Sequence, residues 1–177
     1  MRKLLFQSLF RSPLTEAPPS ASDAALAELG AALKRSARRS LGRSLSIREV
    51  DAGSCNGCEL EIHALNNPYY NIEGLGIRFV ASPRHADMLL VTGPVSRHME
   101  EALRRTYDAV PKPKLVVAVG DCGCTGGIFG ESYASLGRVA NVIPVDATVP
   151  GCPPPPAQIL QTILDVVRRT VVGAPTL

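Results

Sequence analysis

The amino-acid sequence predicts an α/β protein, a parallel sheet with helices on both faces. Two runs, Ala86-Asp-Met-Leu-Leu-Val-Thr92 and Lys114-Leu-Val-Val-Ala-Val-Gly120, are nearly continuously apolar. Strands read this way when both faces of a parallel sheet are covered. Helical stretches separate the strand-like segments, as crossover connections require. Cys55-x-x-Cys58, Cys122 and Cys152 each fall just beyond a strand-like run, where open parallel sheets build their sites.

Each element has its own signal. Over residues 1–12, Leu5 with Leu9 and Phe6 with Phe10 share a helix face at i, i+4 spacing. Pro13, Pro18 and Pro19 then break the chain. Asp23 is placed to cap a second helix running to about Leu41 and ended by Gly42, with an apolar stripe through Leu26, Leu29, Leu33 and Ala37. These parts form an N-terminal extension, residues 1–44. From residue 45 the texture becomes α/β, giving a second unit over 45–177. Ser46–Val50 is a short strand, Glu59–Asn66 a helix, Ile77–Ala81 a strand, and Ser96–Ala109 a helix with Met99, Leu103 and Tyr107 on one face. The 114–120 strand is expected at the centre of the sheet. Val139–Val149 is expected to be extended, and Ala157–Val172 helical.

A chain of 177 residues can bury a real core in one domain. Its net charge of +3, from 19 Lys and Arg against 16 Asp and Glu, is too small to imply nucleic-acid binding. The positive charge is uneven: Lys34, Arg35, Arg38, Arg39, Arg43 and Arg48 lie in one stretch, read as a solvated or interface face. No uninterrupted apolar run approaches the roughly 20 residues of a membrane-spanning helix. No secretory cleavage pattern is evident. The five cysteines are therefore read as reduced thiols suited to metals.

Thiols that converge without pairing hold a metal or an iron–sulfur cluster. Structural zinc usually takes two local cysteine pairs, and only one such pair is present. Gly53, Gly57, Gly120, Gly123, Gly126, Gly127 and Gly151 surround the thiols, and glycines let backbone approach a bulky cluster and aim N–H groups at its sulfurs. These features favour a cluster, with a zinc-stabilised interaction domain as the competing reading. Cys124 is too close in sequence to Cys122 to reach the same cluster and is read as a neighbouring thiol. Gly126-Gly127 is no P-loop, because no Gly-Lys-Ser/Thr completes it.

Cys55-Asn-Gly-Cys-Glu-Leu-Glu61, Ser82-Pro-Arg-His-Ala-Asp87, Leu90-Val-Thr-Gly93, Gly120-Asp-Cys122 with Gly126-Gly-Ile-Phe129, and Val145-Asp146 with Val149-Pro-Gly-Cys-Pro-Pro154 occur in this order. Over residues 45–165 the set resembles the small subunit of membrane-bound [NiFe] hydrogenases of the formate-hydrogenlyase and energy-converting type. That family is homologous to the 20-kDa subunit of complex I. The resemblance implies a flavodoxin-like fold without flavin. It also implies one [4Fe–4S] cluster on Cys55, Cys58, Cys122 and Cys152, beside a large subunit that holds the nickel–iron centre. Further implied partners are a ferredoxin-like iron–sulfur subunit and membrane-arm subunits, with the chain peripheral on the cytoplasmic side of the cell membrane.

Complex I relatives carry two adjacent cysteines where this chain has Gly57-Cys58, so the departure favours the hydrogenase branch over a quinone-reducing subunit. A hydrogenase-related complex without nickel is the third reading within redox enzymes. The chain alone is expected to lack hydrogenase activity, since it has no paired Cys-x-x-Cys motifs for nickel. Glu59 and Glu61 suit the start of a helix; Glu61 matches a family acid and is a candidate for proton transfer. His85 also matches the family and is read as a loop or interface residue, and nothing marks His63 or His98 as ligands. The amphipathic start is read as a docking element for a partner.

Overall fold

The computed structural model of the chain describes residues 25, 27–32, 34–35 and 43–172. The amphipathic segment expected over 1–12, and Leu26, Leu33 and Ala37 of the second expected helix, lie outside the described residues. Residues 27–32 are helical, and Leu29 and Ala32 pack against the core.

The main body contains β1 (Leu45–Asp51), α1 (Gly57–Ala64), β2 (Ile77–Phe79), β3 (Met88–Thr92), α2 (Glu100–Ala109), β4 (Leu115–Val119), α3 (Gly120–Thr125), β5 (Ala147–Val149) and α4 (Pro156–Val172). All pairings are parallel, in the order β2-β1-β3-β4-β5. This is the flavodoxin-like order, with its reversal between β1 and β3.

Side-chain alternation explains the layers. On β3, Met88 and Leu90 join a cluster with Leu45, Ile47, Ile62 of α1 and Ile159, Leu160 and Ile163 of α4. Leu89 and Val91 face the opposite way, into a cluster with Val50, Val116, Leu103 of α2 and Val139. Every residue of β3 is buried, so its apolar run serves both faces. Burying each such side chain contributes about 1.5–3 kcal/mol.

Three expectations need correction. The strand before Cys122 is β4, next to the edge; β3 holds the centre, with β1 and β4 on either side. Both strands are buried on two faces, so composition does not rank them. Residues 139–149 are not continuously extended: Val139–Asn141 is a 3₁₀ turn, and only Ala147–Val149 is a strand. Val139, Val142 and Ile143 all enter the second core cluster, a helical rather than alternating pattern. The helix expected from Ser96 begins at Glu100. The backbone before it is committed elsewhere: Val95, Ser96 and Arg97 donate N–H bonds to the carbonyls of Gly137, Ala52 and Ala134.

Candidate metal centre

Three loops meet at the carboxyl end of the sheet. After β1, Asp51 Oδ1 accepts the backbone N–H of Gly53 and of Ser54, each at 2.8 Å. This tight turn delivers Cys55. Asn56 takes a left-handed conformation, φ 71°, and α1 starts at Gly57, so Cys58 lies in its first turn. After β4 the chain turns directly into α3, which carries Cys122. Cys152 follows β5, and its peptide bond to Pro153 is cis.

The loops are tied to one another. Asp121 donates its backbone N–H to the Gly151 carbonyl at 2.8 Å, and its Oδ1 accepts the Gly151 N–H at 2.8 Å. This clasp fixes the Cys122 and Cys152 segments together. On the other side, Glu59 Oε1 accepts hydrogen bonds from Ser54 Oγ at 2.5 Å and from Thr92 Oγ1. Ser54 Oγ in turn accepts the Asn56 N–H at 3.1 Å.

Missing side chains let the backbone approach the thiols closely. A Cβ on Gly120 would lie 2.4 Å from Cys58 Sγ and 3.5 Å from the Gly151 carbonyl oxygen. A Cβ on Gly127 would lie 2.8 Å from Cys122 Sγ, and one on Gly57 3.6 Å from Cys55 Sγ and 4.0 Å from Pro153. Cys55 and Cys152 are exposed, and Cys58 and Cys122 are half-buried. Burial pushes the Cys58 thiol up to about 12, and charge on Glu59, Cys55, Cys122 and Cys152 pushes the same way. Burial also raises Cys122, with Cys152 and Cys55 adding to it. Among the described residues, no three Cys, His, Asp or Glu side chains stand close enough to share a single metal ion.

The other expected site residues separate from this group. Cys124 packs against the second core cluster and donates to the Ala118 carbonyl at 3.6 Å; burial pushes its thiol up to about 11. Glu61 is half-buried on α1, close enough to Tyr70 to raise its hydroxyl, after burial and Tyr69. His85 and His98 are exposed, and His63 lies 3.6 Å from Glu49 on β1.

The buried acid is Glu59, 6% exposed, which sequence reading treated only as a helix-start acid. Asp121 entered that reading only as a motif letter beside Cys122; nothing local reveals its partner 30 residues away. Glu49 was not singled out. Burial above all raises it, His63 opposing and Glu59 adding.

Comparison with known proteins agrees with this architecture. The chain is 45% identical over 130 residues to formate hydrogenlyase subunit 7 of Escherichia coli, covering 73% of this chain and 51% of that one. It is 46% identical over 124 residues to the probable membrane-bound hydrogenase subunit mbhJ of Pyrococcus furiosus, covering 70% and 74%. Its fold matches a chain of the membrane-bound sulfane sulfur reductase, an archaeal respiratory membrane complex, with a TM-score of 0.66, 32% identity and coverage of 80% and 77%. The model of the NADH ubiquinone oxidoreductase 20 Kd subunit family matches residues 55–166, all four rim cysteines included, and the chain belongs to that family of oxidoreductase subunits.

Proposed function

We propose that the chain is an electron-transfer subunit of a membrane-bound hydrogenase-type complex, holding one [4Fe–4S] cluster on Cys55, Cys58, Cys122 and Cys152. The observation that carries this reading is the convergence of three cysteine-bearing loops at the sheet edge, where Gly120 and Gly127 lie so close to the Cys58 and Cys122 sulfurs that no Cβ fits between. The donor set fits: thiolates are the usual cluster ligands, and a cation among them relieves the penalty that burial and mutual repulsion place on their charged forms. When bound, such a cluster accepts and releases single electrons. The chain's own residues do the rest: the thiolates bind, Asp121 and Glu59 orient the loops, and the glycines leave room.

The partner reading is a large subunit with the nickel–iron centre, a ferredoxin-like iron–sulfur subunit and membrane-arm subunits. It is supported by exposed apolar side chains around the thiol end, Leu60, Ile128, Phe129 and Tyr133. Among the described residues no helix is long and apolar enough to cross a membrane; the reading has the chain peripheral, on the cytoplasmic side. Residues 1–44 act in this reading as a docking extension on the 45–177 unit. Glu61 is proposed to pass protons at the subunit interface; Glu61→Gln then slows turnover of the complex without changing its iron content.

The likeness to a sulfane sulfur reductase chain favours one second reading, in which the same relay serves a large subunit without nickel. Nickel analysis of the purified complex separates the two. For the cluster, the test is anaerobic reconstitution of the full chain. Expected are a brown protein, iron and sulfide in the ratio of one [4Fe–4S] cluster per chain, and an S = 1/2 signal on reduction, each lost on Cys→Ser at any of the four positions. A colourless protein with equimolar zinc overturns the reading in favour of a zinc-stabilised interaction domain.

A further inference from the structure

We infer that Glu59 is a positioning residue: a single buried carboxylate that clamps the Cys55–Cys58 loop to the central strand through Ser54 and Thr92. The inference rests on the cluster reading for its importance to function, but the clamp is a property of this chain alone.

Glu59 directly follows Cys58, and Ser54 directly precedes Cys55. One oxygen, Oε1, accepts both the Ser54 hydroxyl and the Thr92 hydroxyl. Thr92 is fully buried at the end of β3, in register with Asp51 of β1 and Val119 of β4, the last residues of the strands that lead to Cys55 and Cys122. Its hydroxyl has an alternative acceptor in the Val50 carbonyl, at 3.4 Å, but a hydroxyl carries one proton and the carboxylate is the closer partner. The clamp therefore ties both cysteines of the pair to the strand between the two cysteine-bearing arms.

The arrangement is costly. The second oxygen, Oε2, is buried without a hydrogen-bond partner, and a buried acceptor left bare is penalised. A helix-start acid serving the dipole has no need of this; it works as well in solvent. Leu60 beside it is 60% exposed, so a solvent-facing position was one residue away. An acid retained in the dry position is explained by what Oε1 holds.

The test uses the full chain, first metal-free and reduced, then loaded with iron and sulfide. In the metal-free chain, Glu59→Ala is expected to speed hydrogen exchange of the 53–58 amides about tenfold, as loss of charge-assisted bonds would, with β2 and α4 unchanged. Ser54→Ala and Thr92→Val, which alter no charge, each produce part of that effect, and adding Ser54→Ala to Glu59→Ala produces nothing more at these amides except Asn56, whose N–H Ser54 Oγ itself accepts. Glu59→Gln, which keeps one acceptor oxygen, restores slow exchange. In the loaded chain, Glu59→Ala shifts the g-values of the reduced signal, and Glu59→Gln returns them towards wild type.

Unchanged exchange at 53–58 in Glu59→Ala, a uniform loss of protection across the sheet, or additive effects of Glu59 and Ser54 at amides other than Asn56 overturns the clamp. If Glu59→Ala does not fold, Thr92→Val and Ser54→Ala carry the same test. A chain that responds as expected yet takes up no iron overturns the cluster reading alone, and a chain that loads iron with an unresponsive loop overturns the clamp alone.

Discussion

The two halves of the thiol rim are held by different means. The Cys55–Cys58 half is local: Asp51, Ser54 and Glu59 lie within nine residues of one another and bond mainly through side chains, with Thr92 as the anchor on β3. The Cys122–Cys152 half is long-range: Asp121 and Gly151 exchange two bonds across 30 residues, both to main-chain atoms of Gly151. The first half can form as soon as β1 meets β3. The second exists only when β5 has paired with β4, where Val119 faces Val149. One half is a built-in loop, and the other reports on completion of the sheet.

The sharpest way to break both halves at once is Gly120→Ala. Its φ of +83° lies in the left-handed region, and its Cβ would meet Cys58 Sγ from the first half and the Gly151 carbonyl from the second. The left-handed backbone costs about 1–2 kcal/mol for a residue with a Cβ, and overpacking adds about 1–3 kcal/mol. Urea denaturation is expected to show a loss of that combined size, and reconstituted iron falls with it. Gly130→Ala is the control: φ is +53° but nothing lies within 4 Å, so only the backbone cost of about 1–2 kcal/mol remains and iron content is unchanged.

Asp121→Ala separates the halves. It leaves the half-buried Gly151 N–H without its acceptor, at a cost near the lower end of the roughly 1–3 kcal/mol for an unsatisfied group. Asp121→Asn retains an acceptor oxygen and recovers most of it. The discriminating measurement is thiol alkylation read residue by residue in the metal-free chain. Cys152 is expected to react faster in Asp121→Ala while Cys55 keeps its wild-type rate. Equal acceleration at both would show that the rim moves as one body and that the division drawn above is wrong.

How much of this was legible in the sequence follows the same division. The alternation of strands and helices, and the arrival of cysteines after strands, are local patterns read directly from the 86–92 and 114–120 runs. The order of strands is not local, which is why β4 was expected at the centre that β3 occupies. Glu59 was visible as a letter but not as a buried acid. An eight-residue helix such as α1 is too short for periodicity to say which side faces the sheet, and burial depends on where Thr92 ends up. The Asp121–Gly151 clasp leaves no trace in the second segment, because Gly151 contributes only its backbone N–H and carbonyl, which every residue but proline possesses.

Beside the first half lies an acid whose pKa its surroundings push upward. Glu49 lies on β1 beneath α1, raised by burial, with His63 and Arg48 opposing and Glu59 and Asp51 adding. Its folded-state pKa lies above the unfolded value, so the folded chain binds more protons between the two. Stability therefore falls as pH rises through that window, and the loss is complete above the raised pKa. Glu49→Gln is expected to remove this slope, gaining on wild type as pH rises from about 4.5. The slope is at most about 1.4 kcal/mol per pH unit, lessened by solvent screening. Thermal unfolding of both chains from pH 4 to 8 reads it directly. Parallel curves would mean that burial places no charge penalty on Glu49.

The smallest effect on the chain itself is expected at its surface, and there the two halves differ again. The loop after Cys122 exposes Ile128 (93%), Phe129 (55%) and Tyr133 (95%), whereas the first half exposes Leu60 at 60%. Apolar side chains exposed together in this way mark a surface that a partner covers. Replacing Ile128 and Tyr133 by Ser is expected to change stability by no more than about 0.5 kcal/mol, as exposed positions usually do. Co-purification with the proposed large subunit should nonetheless fall, and fall further than for Leu60→Ser. The Cys122–Cys152 half, whose clasp needs β5 paired with β4, would then also be the half that the partner reads, which favours a chain with a completed sheet. Equal losses for the two variants would mean that the partner rests on the whole rim and does not distinguish a finished sheet from an unfinished one.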